Sequence, residues 1–121
     1  MSNPGIYKTK LAGSVIPPYV LVAHGAQDGA VALATVATDA LCGVTQELGA
    51  DAVGDPVDVC KGGLPEIRLG GDVVRGDPLT SDTEGRAIKA TVSGSRIIGF
   101  AEVSGAEDDI VPFLFAPGVL P

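Results

Sequence analysis

Few side chains in this sequence could carry covalent chemistry. His24 is the single histidine, so a Ser-His-Asp or Cys-His site would have to use it. It stands beside Gly25 after an apolar run, no Gly-x-Ser-x-Gly elbow accompanies it, and it reads as a solvated loop histidine. Cys42 and Cys60 match no metal-ligand spacing. They read as small buried apolar residues in a reducing cytosol, with a disulfide between neighbouring strands as the alternative. Asp82-Thr83-Glu84-Gly85 holds part of a calcium-loop series but lacks the terminal glutamate. Glu107-Asp108-Asp109 offers adjacent carboxylates, either a solvated turn or a cation site at a subunit junction. Gly70-Gly71 lacks the Gly-Lys-Ser/Thr that a phosphate loop needs. The expectation is a protein that is not an enzyme, with no catalytic residue, cofactor or metal.

The elements that would position such groups are strands. Hydrophobic residues make up 45% of the 121, aromatics only 4%, and 17 Gly and 9 Pro punctuate short apolar runs. That pattern predicts one all-β domain, a small barrel or sandwich of short antiparallel strands with a Val, Ile, Leu and Ala core. Strand candidates lie at residues 19–23, 30–34, 41–46, 57–60, 64–69, 79–80, 86–92, 97–102 and 110–115. Ile67 and Leu69 share one face of theirs, Glu66 and Arg68 the other. The glycine inside Leu41-Cys42-Gly43-Val44 predicts a bulge or a close backbone approach. Gly76-Asp77-Pro78 must release the chain as a strand, and residues 81–85 form a polar hairpin loop.

Residues 1–18 read as an extended N-terminal arm and residues 19–121 as the barrel domain. The arm contains Lys8 and Lys10 and no carboxylate, for the first acid is Asp28. Pro17-Pro18 stiffens its end. The net charge of -7 and the lack of basic clusters argue against nucleic acid as a partner. No signal peptide is read, and the longest apolar run, residues 110–120, is too short for a membrane span.

The chain partly repeats itself. Ile97-Ile98-Gly99-Phe100-Ala101-Glu102 restates Leu41-Cys42-Gly43-Val44-Thr45-Gln46. Gly105-Ala106-Glu107 restates Gly49-Ala50-Asp51, and Asp109-Ile110-Val111 restates Asp55-Pro56-Val57. A hairpin-like unit therefore occurs twice. In the last strand Val111, Phe113 and Phe115 share one face, and Ile110, Pro112 and Leu114 the other. Both faces are apolar, which predicts cover on both; Pro112 suggests an edge strand, and a neighbouring subunit or the arm is the expected cover. The candidate interface is Ile6, Tyr7, Lys8, Lys10, Pro17, Pro18, Ile110, Pro112, Leu114 and Leu120.

Residues 31–44, then Gly54-Asp-Pro-Val-Asp-Val59, Gly76-Asp-Pro-Leu-Thr-Ser-Asp82, Gly85-Arg-Ala87 and Ile97-Ile-Gly99, resemble the capsid cement (head decoration) proteins of tailed bacteriophages. The resemblance spans residues 20–118 and leaves the arm outside it. It implies a small β-barrel on the outside of an icosahedral head, made in the host cytoplasm. Such a protein stabilises the shell by non-covalent cross-linking of the major capsid protein. Its partners would be that protein and itself, a homotrimer being favoured and a dimer the alternative; neither nucleic acid nor membrane is implied. The rival expectations are a small cytosolic β-barrel enzyme or ligand-binding subunit, and a tail or baseplate barrel.

Overall fold

The structure is a computed structural model that describes residues 6–121; the turn signal Asn3-Pro4-Gly5 lies outside the described residues. Among the described residues there is no helix. Ten strands follow one another: β1 (Tyr7–Ala12), β2 (Leu21–His24), β3 (Ala30–Leu33), β4 (Leu41–Val44), β5 (Pro56–Cys60), β6 (Glu66–Arg68), β7 (Pro78–Ser81), β8 (Ala87–Lys89), β9 (Arg96–Ala101) and β10 (Ile110–Val119). The all-β expectation holds, as a closed barrel in the order β1-β3-β2-β4-β5 beside a second sheet in the order β6-β10-β9-β7-β8.

The two sheets are copies of one unit. Lys10↔Val57 in the β1–β5 ladder has its counterpart in Ile67↔Val111 of β6–β10. Val22↔Leu33 corresponds to Leu79↔Lys89, Leu21↔Val44 to Pro78↔Phe100, and Val44↔Cys60 to Phe100↔Leu114. The parallel closure of β1 on β3 returns as a single parallel bridge between Leu69 and Ala87, and the bridge Ile16↔Ala50 returns as Val73↔Gly105. Left-handed backbone positions also coincide: Tyr19 (φ 59°) with Gly76 (91°), Gly54 (91°) with Asp108 (71°), Gly29 (81°) with Gly85 (75°). The hairpin repeat read in the sequence is thus one part of a whole-chain duplication. In the turn the structural register matches Ala50 with Gly105, one residue away from the sequence match.

The stretch expected to be an arm supplies barrel strand β1. Its side chains are mostly exposed, which hid it from a burial-based reading. Backbone pairing holds it instead, antiparallel to β5 from Tyr7↔Cys60 to Leu11↔Pro56 and parallel to β3. Ile16, two residues before Pro18, is core. Pro112 is a second correction: β10 lies between β6 and β9, so this proline is not on an edge. Hydrogen bonds towards β6 run through Leu69 N–H to Asp109 O (2.8 Å) and Phe113 N–H to Pro65 O (3.0 Å). The nitrogen of Pro112 therefore faces the other side, where β9 has ended at Ala101.

Two clusters form the core. Ala12, Ile16, Val20, Val22, Val31, Cys42, Ala50, Val57 and Val59 fill the first barrel. The other joins the outer wall of that barrel, at Leu21, Ala23, Val44 and Cys60, to the interior of the second sheet, at Ile67, Leu69, Leu79, Ile98 and Phe113. Cys42 and Cys60 are both buried free thiols, one in each cluster. Both sheets carry an irregularity next to a buried glycine. The β2–β4 register shifts between Val22 and Ala23, beside Gly43, and β10 shifts between Phe115 and Gly118, across from Gly99.

Candidate functional site

In the first barrel the row Leu21, Val44, Cys60 lies across β2, β4 and β5, is 0% exposed, and is covered by the second sheet. The register equivalents in the second sheet are Pro78, Phe100 and Leu114. This row is not covered: Phe100 is 37% and Leu114 44% exposed. Strand alternation extends it along β10 through Pro112 to Ile110, which is 38% exposed. Glu66 and Arg68 on β6 pair with Pro112 and Ile110 and flank the row with opposite charges. The result is an apolar wall with a polar margin.

Of the residues expected at an interface, the structure brings Ile110, Pro112 and Leu114 together on this wall. Phe100 and Pro78 complete it and are missing from the sequence expectation. The signal was the duplication itself, because Phe100 stands where Val44 stands in the first copy. Tyr7, Lys8 and Lys10 lie on β1 in the closed barrel, away from this sheet, with exposed Ile6 just before them. Burial pushes the Tyr7 phenol above its ordinary range, and the neighbouring Cys60 thiol adds to the shift. Pro17 and Pro18 are exposed at the corner before Val20. Leu120 is half-buried, its backbone paired with Ser95 and Gly94, each at 2.8 Å.

The acidic stretches are organised by Arg86. Its Nε donates to Asp82 Oδ2 (3.0 Å), and its Nη1 donates to Glu107 Oε2 (3.3 Å) and Asp108 Oδ1 (3.2 Å). Asp109 Oδ2 accepts the Ala106 N–H (2.9 Å). The triplet is thus an exposed turn, as one of its two readings had it, with Glu107 and Asp108 sharing the Arg86 guanidinium and Asp109 bonding the backbone of its own turn. Among the described residues no group of three His, Cys, Asp or Glu side chains could hold a metal ion. Asp82 Oδ1 also accepts the N–H groups of Glu84 (2.8 Å) and Arg86 (2.9 Å), shaping the hairpin whose Gly85 carbonyl receives the Leu21 N–H (2.8 Å). Asp82→Ala is expected to cost about 2 kcal/mol by leaving these donors unpaired. Urea unfolding of the variant measures it, and a loss within error would show the hairpin to be shaped by Gly85 alone.

His24 is exposed at the rim of a shallow cleft of ≈ 570 Å³, lined by Lys10 and residues 24–29. No Ser, Thr or Cys stands beside it in the lining of that cleft.

No protein-family model matches the chain. No curated protein sequence matches it. Among solved structures the chain is similar to the N base of the head fiber gp8.5 of bacteriophage phi29, with a TM-score of 0.68 over 92% of this chain and 93% of that one. The two sequences are 22% identical, so the likeness is one of fold.

Proposed function

We propose that this protein is a structural component of a bacteriophage virion: a decoration protein on the outside of the head that stabilises the shell by non-covalent cross-linking of major capsid subunits. The observation that carries the proposal is the open apolar wall of Pro78, Phe100, Ile110, Pro112 and Leu114; the counterparts of Pro78, Phe100 and Leu114 in the first barrel, Leu21, Val44 and Cys60, are fully buried. The fold shared with a phage head fiber base supports it.

The energetics suit adhesion. Covering the exposed parts of Phe100 and Leu114 is worth about 1 kcal/mol each. That is too little for one contact, but it multiplies when copies act together in a symmetric oligomer, a trimer being favoured and a dimer the alternative. A protein that binds only the assembled shell stabilises it by mass action. The acidic surface keeps crowded copies soluble.

Co-sedimentation with expanded phage heads, followed by electron microscopy, tests this function. The wild-type protein should decorate the head exterior, and the double variant Phe100→Asp/Leu114→Asp should lose at least about tenfold in affinity. Wild-type protein that stays in the supernatant, or a double variant that binds equally well, overturns the proposal.

A further inference from the structure

The two copies differ at one seam. In the first barrel β1 is sealed to the β3 side by Leu11 N–H to Gly29 O (2.8 Å) and Gly13 N–H to Val31 O (2.6 Å). In the second copy only the counterpart of the latter remains, Gly70 N–H to Ala87 O (2.8 Å). The counterparts of the former, Arg68 N–H and Gly85 O, do not bond each other. Arg68 N–H donates to Tyr19 O (2.9 Å), and Gly85 O accepts from Leu21 N–H (2.8 Å). The segment Tyr19-Val20-Leu21, left-handed at Tyr19, thus sits in a gap between β6 and the 82–86 hairpin, held by its backbone. Opening the seam exchanges one backbone bond for two.

The shallow cleft of the first barrel lies on the matching seam. A Cβ added at Gly29 would meet nothing within 4 Å, whereas one added at Gly85 would meet Val20 and Leu33. The register converts the flanking side chains. Ile67 of the filled gap corresponds to Lys10, and Ser81 to His24. The filled gap takes an apolar residue, Leu21, which is 0% exposed. The matching position of the first barrel presents an ammonium and an imidazole, with Lys8 on the same strand. Asp28 is the single carboxylate of the lining.

We infer that the seam between β1 and the 25–29 loop is a binding slot for an acidic peptide segment of another protein. The segment adds to the seam as Tyr19-Val20-Leu21 adds to the second copy, with an Asp or Glu in place of Leu21. A second copy of this chain is a poor donor, since its own acidic stretches at 51–55, 82–84 and 106–109 are tied into hydrogen-bonded turns. The slot rests on the virion role only for where such a segment would come from. Its test uses no heads, so the two stand or fall separately.

The probe is a synthetic peptide of residues 17–22 carrying Leu21→Asp, titrated into the isotopically labelled full chain and followed by amide NMR. Shifts are expected at Lys10, Leu11 and residues 24–29. The acidic peptide should bind about tenfold more tightly than the unsubstituted one, about 1.4 kcal/mol. N-methylation of the substituted residue should abolish binding, because it removes the N–H that meets Gly29 O. Lys10→Glu, on a strand held by its backbone, should reverse the preference. Absence of shifts at millimolar peptide, shifts confined to the second sheet, equal binding of the N-methylated peptide, or an unchanged preference in Lys10→Glu would each overturn the slot.

Discussion

Phe113→Ala is expected to lower the unfolding free energy by about 3–5 kcal/mol, the cost of emptying a fully buried aromatic site. Phe113 is 0% exposed and belongs to the cluster joining the two copies, with the Phe115 ring 6.4 Å away. The strands that line the site are held by backbone ladders on both sides, so the cavity should persist. Against a total stability of about 5–15 kcal/mol, this would bring the protein near its unfolding threshold at 37 °C. The melting temperature should fall by about 10–20 °C. Leu114→Ala, one residue on but on the open wall, should cost less than about 1 kcal/mol. Guanidinium titration of the pair measures the contrast. Equal losses would mean that the wall, and not Phe113, belongs to the folded core.

Gly99→Ala should be nearly as damaging through the opposite fault, too much matter in too little space. A Cβ there would strike the carbonyl of Leu114, a backbone atom that cannot turn aside. Gly43 is its counterpart in the first copy, where a Cβ would lie 2.5 Å from Val59 Cγ1 and 2.6 Å from Cys60 O. Each substitution is expected to cost about 3 kcal/mol or more, because a strand must move to admit the methyl. Gly54→Ala is the control: its backbone is left-handed at φ 91°, yet nothing lies within 4 Å, and about 1 kcal/mol of backbone strain is the whole expected cost. Thermal unfolding of the three variants ranks them; a Gly99→Ala protein as stable as Gly54→Ala would show that β10 yields more readily than its packing implies.

Much of this was legible in the sequence because strand signals are local. The alternation in residues 66–69 and the two-faced apolar run beginning at Ile110 correctly separated inner from outer residues. Gly43 was read as a bulge or a close backbone approach, and the fold has both there. The strand β1 was not legible. Its exposed side chains give no burial pattern, and its longer ladder is made with β5, some fifty residues downstream. The candidate wall was half legible for a related reason. Ile110, Pro112 and Leu114 are neighbours on one strand, whereas Phe100 and Pro78 join them only through the ladder. The Arg86 cluster was invisible because turns distant in sequence meet only in the fold.

The filled gap also gives the molecule a direction of assembly. A ribosome releases the first barrel before the second, and that barrel can close on itself, since all five of its strands come from residues 7–60. The later copy emerges to find its insert, Tyr19-Val20-Leu21, already displayed on a finished surface. The reverse order would leave an unsealed sheet with a hungry seam exposed to other nascent chains. Synthesis from the N-terminus thus places first the copy that closes through its own strands and second the copy that takes an insert from it.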